Sequence, residues 1–174
     1  MNEPLFVRVL GAEFESLPAA VRRLHLSGGH RRYRGHVHVL RGTGLLSRVC
    51  AWASRLPPAG EGALEVEIES SGASEKWTRH IGGRPMPSRL WQQEGLLCEQ
   101  LGLVRFGFAL QAEREALVWR VQRASVLGLD LPARWFGKVL AFESEAAGRY
   151  RFDVAASLPA IGLLVHYRGW LHVD

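Results

Sequence analysis

Residues 138–145 read KVLAFESE, residues 149–157 read RYRFDVAAS, and residues 161–173 read IGLLVHYRGWLHV. Short turns that contain glycine or proline separate the three stretches, and this pattern predicts three consecutive antiparallel strands. In the last stretch every second residue from Leu163 to Val173 lies on one mostly apolar face, while the other face mixes aromatic and cationic groups. The two faces of this sheet therefore differ, and a functional site is expected on one of them.

The preceding sequence predicts more strands of the same kind. Leu64, Val66 and Ile68 alternate with three glutamates, so one face is apolar and the other charged. Further strands are expected at residues 33–40, 76–81, 88–93, 103–110 and 117–127. About eight or nine antiparallel strands result, and their right-handed twist curls so large a sheet into a barrel or half-barrel.

Two helical regions are predicted before residue 60. The first is a short N-terminal arm with an apolar run at Leu5–Leu10 and a helix at residues 18–25. The second follows Thr43, a suitable N-cap, and ends at Pro57. Its apolar residues cover more than one stripe, which predicts burial in the concave face of the sheet for Leu45, Leu46, Val49, Cys50 and Ala53. The predicted fold class is α+β, a highly curved antiparallel sheet that wraps a buried helix.

Composition indicates a soluble globular protein. The 174 residues suffice for a single domain, 1–174, and 47% of them are apolar and 22% charged. No apolar run approaches the roughly 20 residues that span a bilayer, and no signal peptide is recognised, so a cytoplasmic location is expected. Cys50 and Cys98 have no CxxC partner, which predicts reduced thiols.

Positive charge is concentrated near the start of the chain. The first 60 residues contain nine arginines and three acidic residues, with a cluster at residues 30–34. Such a cluster attracts phosphates, but no nucleic-acid-binding motif accompanies it. A solvated basic loop is expected, without a specific nucleic-acid partner.

Several motifs resemble one bacterial protein family. They are His25 after a short helix, Trp77-Thr78-Arg79, LGLDLP at residues 127–132, RYRFDV at residues 149–154 and YRGWL at residues 167–171. In this combination the chain is similar to the family known as domain of unknown function 4166, from about Leu17 to Leu171. Members occur alone or behind a reductase with a dinucleotide-binding domain, which implies a reductase partner and no established catalytic residues. A Gly-x-Gly-x-x-Gly fingerprint is absent here, and no cofactor is predicted.

Trp77 and Arg79 share one strand face and are the predicted ligand-binding residues. An indole beside a guanidinium binds an anionic or planar group by stacking and paired hydrogen bonds. In the alternative interpretation Trp77 belongs to the core and Arg79 pairs with Glu99 or Glu143.

Catalytic candidates are acids embedded in apolar strands. Glu99, Glu143 and Asp153 have this setting, in which a carboxylate can serve as a general base, and Tyr167 accompanies them. The same acids equally serve as arginine partners. His36 and His38 project from one face of a strand, but no further ligands are identified, so no metal site is predicted.

Residues 127–136 connect two strands and are rich in apolar groups. This connector is interpreted as a lid over the barrel mouth or a membrane-touching loop, and packing over the open end is preferred.

Three candidate functions follow from the sequence as a whole. The first is a binding protein for a small apolar metabolite or acyl chain, the second a cofactor-free isomerase, cyclase or dehydratase, and the third a module that docks on a reductase.

Overall fold

The computed structural model describes residues 3–26, 28–71 and 73–173. The helices are α1 (Leu5–Leu10), a 3-10 helix (Gly11–Ser16), α2 (Ala19–Leu26), α3 (Leu45–Ala53) and a second 3-10 helix (Ala133–Phe136). The strands are β1 (His30–Arg41), β2 (Gly60–Ser71), β3 (Ser74–Ile81), β4 (Arg84–Gln93), β5 (Leu96–Leu101), β6 (Val104–Glu113), β7 (Ala116–Val126), β8 (Leu129–Leu131), β9 (Lys138–Ala146), β10 (Arg149–Leu158) and β11 (Gly162–Leu171). Among the helices described, none has the length and apolar character needed to cross a bilayer.

Ten of the strands close into an antiparallel barrel. The order around it is β6-β5-β4-β3-β2-β1-β11-β10-β9-β7, and pairing of β6 with β7 completes the circle. The eleventh strand, β8, pairs with the end of β7 and lies outside the barrel. The predicted curved antiparallel sheet is therefore confirmed, and the sheet is a closed barrel.

The part of the chain that the structure describes has eleven strands, more than the eight or nine predicted, because the sequence pattern does not indicate the short strands β5 and β8. In β5 a glutamate, Glu99, points inward between Leu97 and Leu101, so the apolar alternation that marks a half-buried strand is interrupted. Strand β8 has three residues, two of them exposed. Neither segment carries enough periodic signal to be identified.

The inner face of the barrel carries the predicted apolar rows. Leu64, Val66 and Ile68 of β2 are each at most 4% exposed, and their glutamate neighbours lie on the outer face. In β11, Val165 and Leu171 are buried in the same core. The alternation in the sequence therefore assigned the inward side of these strands correctly.

Helix α3 does not lie in the concave face, and the prediction of its burial is wrong. Leu45, Leu46, Val49 and Trp52 are all more than half exposed, and Cys50 and Ala53 are partly buried. The buried side of the helix consists of the small residues Ser47 and Ala51. A broad apolar surface predicts contact with some apolar partner, but the sequence does not identify the barrel interior as that partner.

The N-terminal arm occupies the position predicted for α3. Phe6, Phe14, Ala20, Val21 and Leu24 are each at most 1% exposed and belong to the main core of the barrel. These helices contact β4, β5 and β6 on one side and β9 and β10 on the other, so they fill one end of the barrel. We call this the plugged end and the opposite end the open end.

The basic cluster at residues 30–34 lies on a strand rather than in a loop. Arg32 forms ion pairs with Glu65 and Glu67, and Arg34 pairs with Glu65, across the β1–β2 ladder. Tyr33, between them, points inward and is buried. The neighbouring acids of β2 thus neutralise part of the charge that the sequence suggested for phosphates.

Candidate functional site

A cavity of about 130 Å³ lies inside the barrel and opens toward the end that the N-terminal helices leave free. Leu56, Phe136 and Leu158 line it at the open end, and Trp119 lines it further in. Its walls are mostly apolar, and the polar side chains that line it are Ser54, Arg79, Glu99, Glu143, Tyr150 and Tyr167, together with the indoles of Trp77 and Trp119. For comparison, a cavity of about 150 Å³ holds one benzene ring. The space is thus close in size to a small ring or a short aliphatic segment.

An ion pair forms one polar wall of the cavity. Arg79 Nη2 donates to Glu99 Oε1 at 3.2 Å, and Arg79 Nη1 donates to the Ser88 hydroxyl at 2.9 Å. The side chains of Arg79 and Glu99 are 12% and 7% exposed. Burial by itself lowers the pKa of Arg79, but Glu99 together with Tyr167 and Tyr150 outweighs it and raises that pKa. Arg79 is therefore cationic and already paired within the protein.

Trp77 supports this ion pair from a buried position. The Arg79 guanidinium lies over the Trp77 ring, 5.1 Å from its centroid, so the predicted indole–guanidinium stack exists. The Trp77 Nε1–H donates to Glu75 Oε2 at 2.8 Å, and Trp77 is 4% exposed. The Trp77 ring thus lines the cavity, while its N–H already donates to Glu75 and is not free to bind a ligand.

A second polar cluster lies where α2 meets the barrel wall. His25 Nε2 is 2.6 Å from Glu143 Oε2, and both side chains are almost fully buried. Phe6 stacks on the imidazole with 3.6 Å between ring centroids. Burial and the adjacent Glu143 carboxylate raise the pKa of Tyr150 well above its ordinary value. The other imidazole nitrogen of His25, Nδ1, is buried and has no hydrogen-bond partner among the described residues. It is an acceptor when the ring is neutral and donates from Nε2, and a donor when the ring is charged.

The Tyr167 hydroxyl differs from these paired groups. Burial raises the pKa of Tyr167 to about 12, with Glu99 and Glu143 acting in the same direction and Arg79 opposing them. Within the described parts of the chain, no side chain or backbone group forms a hydrogen bond with this hydroxyl. Tyr167 is therefore protonated at neutral pH and has a hydrogen bond to offer inside the cavity.

The sequence candidates fall into two groups. Trp77, Arg79, Glu99, Glu143 and Tyr167 all line the cavity. Asp153 does not, because it lies on the outer face of β10 and contacts His166 Nε2 at 2.8 Å. Asp153 therefore lies away from the cavity, since the register of β10 directs it outward, and a catalytic role for it stays a prediction.

Four further members of the site are absent from the sequence candidates: His25, Glu75, Ser88 and Tyr150. His25 follows Val21 at helical spacing on the buried side of α2, and that pattern could have indicated an inward-facing imidazole. Tyr150 alternates in register with Phe152 and Val154, which also line the cavity. Glu75 is two residues before Trp77 on β3, so strand alternation could have placed it on the same face. Ser88 carries no such local signal, because the pairing of β3 with β4 brings it beside Trp77 and Arg79.

One residue of the connector after β7, Phe136, packs over the open end of the barrel as predicted. Phe136 is 5% exposed, lines the cavity and packs with Ala124 and Val139 at the open end. Leu127, Leu129 and Trp135 of the same connector remain exposed. Phe136 therefore covers one side of the cavity opening, and its neighbours face solvent.

The buried Glu75 carboxyl gives a testable pH dependence. Burial raises its pKa above the ordinary value of 4.5, although Trp77 and His25 oppose the shift. The folded protein thus keeps this proton at pH values at which the unfolded chain has lost it, and stability falls as pH rises through that window. We expect Glu75→Gln, which still accepts from Trp77, to gain stability relative to the wild type as the pH rises above the ordinary pKa of a glutamate.

Urea unfolding of both proteins at pH values around and above that pKa measures the difference. Glu115→Gln, at an exposed turn, is the matched control and should show none. A constant difference between Glu75→Gln and the wild type at every pH would contradict the raised pKa.

Taken together, the fold and the cavity define a closed antiparallel β-barrel with an internal, mostly apolar site and a polar inner wall. Residues 17–171 match the family described as domain of unknown function, DUF4166, and the chain belongs to this family. This match confirms the resemblance inferred from the motifs.

The remaining comparisons add no activity. Among curated proteins, none matches the chain. Among solved structures, the crystal structure of Rv2717c from M. tuberculosis is similar, with a TM-score of 0.46 and 14% sequence identity. That similarity covers 91% of this chain and 99% of the other.

Proposed function

We propose that the barrel binds a small, apolar and uncharged metabolite or acyl segment that carries one carbonyl or hydroxyl group. The observation that carries this proposal is the free Tyr167 hydroxyl in an otherwise apolar cavity. An apolar cavity with a few convergent polar groups is the usual composition of a ligand site. A ligand oxygen beside Tyr167 would receive the hydrogen bond that the protein leaves unused.

The charges of the inner wall select against an anionic ligand. Arg79 is the cation that faces the cavity, and Glu99 already neutralises it. Glu143 adds a further carboxyl to the same wall. A free carboxylate or phosphate would therefore lose its hydration without gaining an unpaired cation. For this reason the proposed ligand differs from the anionic group first inferred from Trp77 and Arg79.

Native mass spectrometry of the protein purified from its own host tests the proposal. We expect a copurified small molecule of low polarity, and weaker retention by Tyr167→Phe. Loss of one hydrogen bond should raise the dissociation constant about fivefold. Asp153→Asn, on the outer face of the neighbouring strand, is the control and should retain the molecule. Equal affinity of Tyr167→Phe and the wild type would remove Tyr167 from recognition.

Catalysis is a second candidate function, because the carboxylates of Glu99 and Glu143 line the cavity. Glu143, held by His25 at 2.6 Å, could act as a general base toward a ligand whose oxygen meets Tyr167. Such an arrangement suits a cofactor-free isomerase, cyclase or dehydratase. Deuterium incorporation into the copurified ligand in heavy water distinguishes this enzyme from a binding protein.

The third function, docking on a reductase partner as the family implies, stays a prediction.

A further inference from the structure

Helix α3 presents its large apolar side chains to solvent. Leu45, Leu46, Val49 and Trp52 are 76%, 60%, 54% and 75% exposed. The side toward the barrel has small groups instead, and the Ser47 hydroxyl donates to the Leu163 carbonyl at 2.8 Å. A helix that packs only on its own barrel normally shows the reverse distribution. The outward side of α3 is therefore suited to an apolar surrounding other than the barrel.

The apolar surface continues around the open end. The Leu103 amide donates to the Ala53 carbonyl at 2.9 Å, and the Leu127 amide donates to the Leu103 carbonyl at 3.1 Å, which places these loops side by side. Leu103, Leu127, Leu129 and Trp135 are 39 to 74% exposed. We call these four residues and the four of α3 the mouth face. A surface with so many large exposed apolar groups marks an interaction site.

The charges around the mouth face are almost all positive. Residues 41–60, 82–84, 102–103, 127–138 and 158–163, which form the open end, contain six basic residues and one acid, Asp130. Five of the basic residues are exposed and form no ion pair with any residue that the structure describes: Arg48, Arg55, Arg84, Arg134 and Lys138. On the barrel wall acids accompany the cations, and Arg120 and Arg123 are each paired with a glutamate, although Arg89 and Arg151 there form no ion pair with a described residue. The open end thus combines exposed apolar groups with unneutralised cations.

We infer that the mouth face docks on the surface of an anionic lipid bilayer. The apolar side chains of α3 would enter the boundary between headgroups and acyl chains, as an interfacial helix does. The surrounding arginines and lysine would meet the negative headgroups. Arg48, Arg55 and Arg84 share one groove beside α3, which places three of these cations together at the contact.

Charge complementarity favours a bilayer over other occupants. A second copy of the chain would bring the same surface against itself across a two-fold axis, so the unpaired cations would face one another. Nucleic acid would satisfy the cations but would leave the exposed leucines and Trp52 without an apolar contact. An anionic bilayer accepts both kinds of group at once. This inference is independent of the ligand proposed for the cavity.

Vesicle sedimentation with the full chain tests the inference. We expect binding to phosphatidylcholine vesicles that contain about 30% phosphatidylserine, and little binding to phosphatidylcholine alone. Binding should weaken between about 0.1 M and 1 M salt, because the screening length shortens from about 10 to 3 Å. A Leu45→Ala, Trp52→Ala double variant should bind about tenfold more weakly, and Arg48→Glu should lose the preference for phosphatidylserine.

Leu26→Ala is the matched control, because Leu26 is 50% exposed on α2 at the plugged end. It should bind vesicles like the wild type. All substituted positions are exposed, and unchanged melting temperatures would show that each variant folds. Equal binding to both vesicle types, or wild-type binding by both mouth-face variants, would overturn the inference. So would a dimer in sedimentation velocity that the Trp52→Ala change dissociates, since the occupant would then be a second copy.

Discussion

Glu99→Ala should lower the free energy of unfolding by about 3 kcal/mol, the lower end of the range for one broken buried ion pair. The change leaves the Arg79 guanidinium in the barrel interior without its carboxylate, and Ser88 alone cannot neutralise it. We choose the lower end because Arg79 borders the cavity, where water can solvate it in part. Equilibrium unfolding in urea measures the difference.

Two further variants show whether the lost stability comes from the stranded charge. Replacing both partners, Arg79→Met with Glu99→Leu, should restore most of the stability, because buried ion pairs exchanged for apolar groups are often neutral. Glu113→Ala removes the partner of Arg120 at an exposed position and should change stability little. If Glu99→Ala were as stable as the wild type, another group would be satisfying Arg79.

Phe6→Ala should lower the free energy of unfolding by about 3 to 5 kcal/mol, the usual loss when a fully buried phenylalanine is truncated. Phe6 is 0% exposed and packs against His25, Trp77 and Trp119, so its removal opens a void at the junction of the helices and the barrel. Loss of the stacked ring should also free the His25 imidazole and weaken its contact with Glu143.

The matched control is Trp52→Ala, which truncates a larger aromatic residue that is 75% exposed on α3. We expect it to change the free energy of unfolding by less than about 0.5 kcal/mol. Thermal and urea unfolding of both variants compare the two helices directly. A larger loss for Trp52→Ala than for Phe6→Ala would mean that α3, and not the N-terminal arm, packs in the core.

The sequence predicted the barrel wall well because strand alternation is local. The row of Leu64, Val66 and Ile68 needs only neighbouring residues to identify its inward side. The same rule predicts that Trp77 and Arg79 share one face, and the alternative interpretation gave Glu99 or Glu143 as the partner of Arg79, of which the structure shows Glu99. These features follow from side-chain periodicity and the need to pair a buried charge.

The role of each helix could not be predicted in this way. Residues 5–24 and α3 both present apolar side chains, and which of them enters the barrel depends on contacts far apart in the sequence. His25 meets Glu143 across 118 positions in the chain, so no local pattern joins them. The sequence therefore does not predict the contact between His25 and Glu143, although the helix and strand periodicity of each residue indicates that its side chain faces inward.

Closure of the barrel between its first and last strands has a consequence for synthesis on the ribosome. Strand β1 pairs with β11, where Val39 is opposite Tyr167, and the N-terminal helices contact β9 and β10. Until the final strand has emerged, β1 and β10 each lack a neighbour, and exposed strand edges of this kind favour misassociation. Contacts of such long sequence separation also slow folding. The nascent chain therefore reaches its protected state only after β11 has left the ribosome.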